Sequence, residues 1–359
     1  MADLMTDVCT YDSLVNKYAN FHVPAISLYV DNSDVVQDLG LNVLSLEISL
    51  SLSEASTAVF HLSDVYDAET RSFDSSVKNK FKLGTVVEVG IGYVSEIQKV
   101  LKGYVASLGA EFGKNNCLVV KVADMRMLMI TGGFHHVLHD VTNYSDAVNA
   151  IFSEYSKLCT AEIDETNDQL ERPISQRSTD YDFITKELIA SGRCNREFLV
   201  VADKAYFREP RKETDAICSL ELGRELRSFQ MESVYTNLQV EVIGYNQQEQ
   251  NAITGSATAN STEALSSVLT NTPVYNIVDP EADTQDKADM RAQAYADERL
   301  YQGQNGSGSC VGLPELIPGR FVEITMLEEM ANKKFYIKNV KHKIDGEGFV
   351  TEFETGGWI

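Results

Sequence analysis

Three histidines fall within five residues: His135, His136 and His139. His135 and His139 form a His-x-x-x-His pair, which on a helix would set two imidazole nitrogens on one side and could hold zinc in a metal-dependent hydrolase. Such a site needs a third ligand. Asp140 would point elsewhere on that helix, no cysteine lies close in sequence, and Gly132-Gly133 favours a loop, so the plainer reading is a surface turn ahead of a helix. Asp164-Glu165 and Glu328-Glu329 are of the type needed for acid–base work, but with 53 Asp and Glu residues such pairs arise by chance, and solvated turns are expected. No Gly-x-Ser-x-Gly elbow, phosphate loop or paired Cys/His nucleophile signature occurs. Gly303–Gly308 lacks the Lys-Ser/Thr and the following helix that phosphate binding needs, and reads as a flexible connector. No catalytic, cofactor-binding or metal-binding residue is assigned, and neither enzyme activity nor a cofactor is expected.

The charge balance points the same way. Acidic residues outnumber basic ones 53 to 31, a formal net charge of −22, which repels phosphate backbones and anionic lipid surfaces. Direct nucleic-acid binding and stable membrane insertion are therefore not expected, and in a pore-forming assembly the charge would keep acidic cargo off the wall. Arg193, Arg196, Arg208, Arg211 and Lys212 form one basic cluster, suited either to an acidic neighbour or to ordinary solvation. Trp358, the single tryptophan, could dock on a partner or pack on its own domain.

The elements that would position these residues are mostly strands. A chain of 359 residues is long enough for two or three domains with real cores. Leu44, Leu46, Ile48, Leu50 and Leu52 alternate with Ser45, Glu47, Ser49 and Ser51, the two-residue period of a half-buried strand. Val87 to Tyr93, Val100 to Leu108 and Leu118 to Val122 repeat the signal. After Thr131-Gly132-Gly133 the period becomes helical: Val148, Ile151, Phe152, Tyr155 and Leu158 share a face, with Asn143 or Ser145 as cap. A second helix fits Thr179 to Ser191, and a small hairpin fits Phe198–Ala202 with Lys204–Phe207.

Strands return from Ile217. Residues 246–272 are poor in large apolar side chains and are expected to form a mobile loop. A helix fits 284–300, and strands fit Phe321–Met326, Phe335–Ile344 and Gly348–Phe353, the last two joined at Asp345-Gly346. The expected fold class is mainly β: a first β domain over 1–130, either a barrel or a sandwich, an α/β insert over 131–210, and a second β-barrel over 211–359. The six cysteines lie far apart and read as reduced, buried small hydrophobes. The first thirty residues show no signal peptide or membrane span, so synthesis and folding in the cytoplasm are expected.

Three stretches together resemble one family, the late-control protein D or baseplate hub group of contractile phage tails, which is also the first part of type VI secretion VgrG spike proteins. Phe81–Phe112, which opens FKLGTVVEVGIGY, is similar to the family's G-x-x-V-x-V-x-x-G strand and the F-x-G-x-I that follows, with Leu101 in place of the usual Phe, and leads on to Asp124. Gln176–Val201 resembles the family's helix and following strand, with Ser178, Asp180, Phe183, Leu188 and Gly192 in register. Leu220–Asn246 and Gly312–Phe353 are similar to the closing region, where Gly319, Tyr336, Val340, His342 and Thr351 take the matching positions.

The resemblance spans roughly residues 20–355. It implies two tube-like β-barrels with an insert and a homotrimeric hub around a channel, in which the two barrels per chain give pseudo-sixfold symmetry and adapt a hexameric tail tube or tube-initiator protein to a trimeric spike. Baseplate wedge proteins would be further partners, with a tape-measure protein or cargo in the channel. Because the chain stops at Ile359, the spike is expected to be a separate protein. The chain would then end up in a virion or a released injection particle. The rival reading is a secreted or surface carbohydrate- or protein-binding β-domain, which should show an export signal and exposed aromatic platforms.

Overall fold

The computed structural model describes residues 3–132, 136–170, 172–247, 249–261 and 271–358. The fold is mainly β, as the alternating patterns require, and is dominated by one sheet of thirteen strands. Strand Asn42–Ser51 shows how it is made: Leu46, Ile48 and Leu50 are buried, while Ser45, Glu47, Ser49 and Ser51 face outward. Leu44 departs from this expectation and is exposed, because the register slips between Val43 and Ser45 and the alternation restarts there.

Along the sheet the strands run Leu226–Ser233, Gln304–Val311, Gly348–Trp358, Lys334–Asp345, Asn42–Ser51, Thr57–Ser63, Cys117–Ala123, Glu96–Glu111, Val86–Tyr93, Pro24–Val30 and Ser33–Asp34. Strand Phe321–Thr325 also pairs with Lys334–Asp345, and Ala216–Glu221 lies beside it. The N-terminal and C-terminal β regions are thus not separate sheets. They meet at a seam where Asn339 pairs with Ser51 and the ladder runs antiparallel to Ile344 and Leu46. One hydrophobic cluster, from Leu4 to Trp358, fills the interior of both.

The two regions repeat one topology. In chain order, Pro24–Val30, Asn42–Ser51, Thr57–Ser63, Val86–Tyr93, Glu96–Glu111 and Cys117–Ala123 correspond to Ala216–Glu221, Leu226–Ser233, Gln304–Val311, Phe321–Thr325, Lys334–Asp345 and Gly348–Trp358. Neighbours within each set pair in the same order; only the first pair differs in sense, antiparallel in one set and parallel in the other. The repeat extends to single bonds. Gly84 and Gly319 both sit at positive φ, +84° and +85°. The amide of Gly84 donates to the Val105 carbonyl at 2.9 Å and that of Gly319 to the Ile337 carbonyl at 3.0 Å, and the Val105 and Ile337 amides return bonds to Thr85 and Arg320. Just beyond, both long strands slip register by one residue, between Val105 and Ser107 and between Ile337 and Asn339. Leu108 and Val340 are therefore equivalent, as are Phe60 and Gly308, and Leu46 and Phe229.

Between the repeats lies an α/β unit with its own core of Met125, Val148, Ile151, Phe152, Phe183, Leu188, Phe198 and Phe207 among others. Helix Tyr144–Glu154 is capped by Asn143, whose side chain accepts from the Asp146 amide. The helix capped by Thr179 runs from Asp180 to Ala190, π-helical from Phe183 onward. The expected hairpin forms from Glu197–Val201 and Lys204–Arg208, with Thr160–Ile163 added as a parallel strand.

Two expectations need correction. Within the stretch 246–272 expected as a mobile loop, Asn251–Asn260 is a strand, paired along its whole length with Asn237–Asn246; residues 262–270 of that stretch lie outside the described residues. Ile253, Gly255, Ala257 and Ala259 face inward onto Ala288, Ala292 and Ala296 of helix Gln285–Gln302. The contact is built from small side chains, so close approach replaces bulk. At Gly255 an added Cβ would stand 2.2 Å from the Ala288 carbonyl carbon. The second correction concerns Gly303–Gly308. Gly303 ends the helix, and the following residues form a strand hydrogen-bonded on both sides. Gly308 leaves room there for the Phe353 ring, 2.6 Å from where a Cβ would be.

Candidate functional site

The residues singled out by type do not gather into a reactive centre. His135 lies outside the described residues, and His136 is exposed. His139 is buried; its Nε2 lies 2.7 Å from Gln176 Oε1, and its ring stacks on Phe183. Gln176 donates to Asp180, which also accepts from the Tyr155 hydroxyl at 2.7 Å. This chain of bonds fixes the strand pair Val137–His139 and Ile174–Gln176 to the following helix. Among the described residues no group of three His, Cys, Asp or Glu side chains could hold a metal ion.

The basic cluster is spent inside the molecule. Arg193 pairs with Glu281 at 2.7 Å, Lys212 with Asp164 at 2.7 Å, and Arg196 donates to the Glu165 carbonyl. Arg211 lies over the Tyr301 ring. Burial raises the Asp164 carboxyl pKa, but Lys212 and the Glu209 amide outweigh it and hold the group below the usual range. Trp358 packs on its own sheet against Phe335 and is 5% exposed.

The positions carrying the family resemblance turn out to be architectural. Arg208, buried, donates to Glu197 at 2.8 Å and to the Gly319 carbonyl at 2.6 Å, and the Tyr336 hydroxyl donates to the other Glu197 oxygen at 2.6 Å. That network ties the α/β unit to the second repeat. Asp124 caps helix Met125–Thr131 and pairs with the fully buried Arg126 at 2.7 Å. Arg126 also donates to the carbonyls of Ser51 and Leu52 and to Ser56, tying the same unit to the first repeat. His342 Nδ1 lies 2.9 Å from Thr351 Oγ1, which accepts from the Leu313 amide.

What remains is a surface. Eight consecutive strands, from Leu226–Ser233 across the seam to Glu96–Glu111, share one polar face opposite the core. Ser228 and Ser309 meet at 2.8 Å, Asn339 bonds Glu354 at 2.8 Å, and Lys343 pairs with Glu352 at 2.7 Å. Lys341 reaches across the seam to Glu47 at 2.8 Å, and Ser45 meets His61 at 3.0 Å. Val59, Val119 and Val350 on this face are half-buried. A shallow concavity of about 670 Å³ crosses the seam here, lined by Ser49, Ser51, Ser307, Lys341 and Glu352 among others. Exposed ion pairs of this kind contribute about 0–1 kcal/mol each, so they keep the face wetted and in register more than they stabilise it.

Both ends of the face are open. Leu226–Ser233 pairs with Gln304–Val311 on one side and with no strand on the other among the described residues. Glu96–Glu111 outruns its neighbour: Val86–Tyr93 ends opposite Tyr104, leaving Ser107–Glu111 paired on one side only among the described residues. Residues 107–111 are exposed. The sequence pattern marks these strands but not that their edges are free, because period-two alternation reports faces and not partners.

The sequence profile of the Alg8 N-terminal domain family matches residues 22–346. The chain belongs to that family. No curated protein matches it in sequence. Among solved structures, this member of the Alg8 N-terminal domain family is similar to a tail protein from Neisseria meningitidis, with a TM-score of 0.67, 11% identity, and 94% of this chain and 97% of that one covered. A 43 kDa tail protein of a Shewanella oneidensis prophage gives 0.66 at 12% identity, covering 92% and 97%. An Escherichia coli component of the type VI secretion system, itself described as similar to bacteriophage tail proteins, gives 0.56 at 10% identity, covering 91% and 76%. The Alg8 N-terminal domain family member thus has the fold of these tail proteins.

Proposed function

We propose that the chain is a structural baseplate hub subunit of a contractile injection system: a phage tail, a tailocin or an extracellular injection particle. One observation carries this reading, the polar eight-strand face with an open strand at each end. Long unpaired edges expose backbone donors and acceptors and are a liability in a monomer; pairing the edge of one copy with the opposite edge of the next removes it. All seven junctions along the face are antiparallel. With an even number of strands, an edge-to-edge junction between rotated copies continues the same alternation.

Three copies would enclose a lumen walled by the polar face. Strands about 4.8 Å apart give ~24 of them a circumference of about 115 Å and a mean radius of about 18 Å before tilt widens it, room for a water-filled channel. The repeat supports the symmetry-adaptor role. Each chain brings two four-strand units of like topology, so a trimer presents six around the lumen, a match for a hexameric tail tube or tube-initiator protein, while its true threefold symmetry suits a trimeric spike protein. Baseplate wedge proteins would bind the outside, and a tape-measure protein or cargo would pass through the lumen.

Native mass spectrometry of the purified full chain tests the reading. A species three times the 39.9 kDa chain mass is expected. A chain that is monomeric at every concentration tried overturns it.

A further inference from the structure

Closure of a ring requires a fixed register between neighbouring copies, and the internal repeat supplies one. At the seam, Val340, His342 and Ile344 of the second repeat lie opposite Leu50, Ile48 and Leu46 of the first, with these side chains on the core side. The junction between copies joins the other two ends of the same units, so it is the seam's equivalent under the repeat. Val340, His342 and Ile344 correspond to Leu108, Ala110 and Phe112, given the matching slips beyond Val105 and Ile337. Leu50, Ile48 and Leu46 correspond to Ser233, Met231 and Phe229 through their partners on Thr57–Ser63 and Gln304–Val311.

Resting on the ring reading, we infer that a second copy of this chain docks its strand Leu226–Ser233 antiparallel on Ser107–Phe112, with Leu108 opposite Ser233, Ala110 opposite Met231, and Phe112 opposite Phe229. The side chains agree with this register. Phe112 is 66% exposed and Leu108 37%, on the core side of one open edge. Phe229 and Met231 are half-buried against the core at the other. Pairing them continues the hydrophobic layer from copy to copy as the seam continues it within the chain. Phe112 is also held in place, edge-on to Tyr66 and beside Phe73, at centroid distances of 5.4 and 5.8 Å, so an aromatic anchor is preset at the edge. A slip of one residue would turn Phe112 and Phe229 to opposite faces of the sheet.

Paired cysteines read the register directly. The full chain with Ala110→Cys and Met231→Cys, oxidised with copper–phenanthroline, is expected to give covalent dimers and trimers about tenfold in excess of those from Ala110→Cys with Glu232→Cys, whose side chains fall on opposite faces. Phe112→Ala, which gives up the Tyr66 and Phe73 contacts, is expected to lower the melting temperature of the unassembled chain by no more than about 4 °C while weakening assembly about tenfold or more. Preferential linkage of the 110/232 pair, or full-strength assembly of the Phe112→Ala chain, overturns this register while leaving the ring intact. A wild-type chain that stays monomeric removes the ring itself.

Discussion

His342 shows how a position that reads as chemistry can serve packing. Buried beside Thr351, its imidazole is held neutral: burial lowers its pKa from 6.5 to about 3, opposed in part by the nearby Leu316 backbone. Between those values the unfolded chain binds a proton that the folded chain does not, so this residue makes stability fall as pH drops from 6.5 toward 3. The slope approaches ~1.4 kcal/mol per pH unit inside that window. His342→Gln, followed by urea unfolding at pH 7, 6 and 5, should flatten the decline; an unchanged slope would mean the histidine is not desolvated as described. The other residues that carried the resemblance act alike. Gly319, Tyr336 and Asp124 tie the α/β unit to the two repeats through hydrogen bonds. Sequence identifies such residues by pattern, but their bonding partners come from strands and helices far along the chain.

At the scale of elements, alternation made most strands legible. What it missed has physical causes. Asn251–Asn260 alternates small against polar instead of large against polar, so its buried face carries little hydrophobic signal, yet it packs because helix Gln285–Gln302 presents alanines to it. The strand after Gly303 was hidden because Gly306 and Gly308 yield their space to the rings of Phe229 and Phe353. The repeated turn at Gly84 and Gly319 allows a paired test. Both need positive φ, which costs a non-glycine residue roughly 1–2 kcal/mol. At Gly84 an added Cβ meets nothing within 4 Å, whereas at Gly319 it would stand 2.4 Å from Leu199 Cδ1. Gly84→Ala should therefore cost only the conformational strain, and Gly319→Ala should cost more, as judged by denaturant midpoints. Equal losses would show that Leu199 yields freely.

At the scale of the whole molecule, two similar β regions and an insert between them could be read from the order of patterns. Their fusion into one sheet could not, because the seam joins strands nearly three hundred residues apart and nothing local in Asn42–Ser51 names Lys334–Asp345 as its partner. Nor does the net charge of −22 say which face carries it; on the polar wall Glu47 and Glu352 are matched by Lys341 and Lys343. The fusion makes one chain present two like units side by side, and the free edges at their far ends invite closure by further copies. Electron cryomicroscopy of the purified assembly examines that closure most directly. A threefold ring is expected, its inner wall one uninterrupted antiparallel sheet of eight strands from each copy, with near-sixfold modulation and the serine- and lysine-bearing face toward the lumen. An assembly with another symmetry, or a threefold one with the polar face outward and the strand edges unpaired, would contradict it.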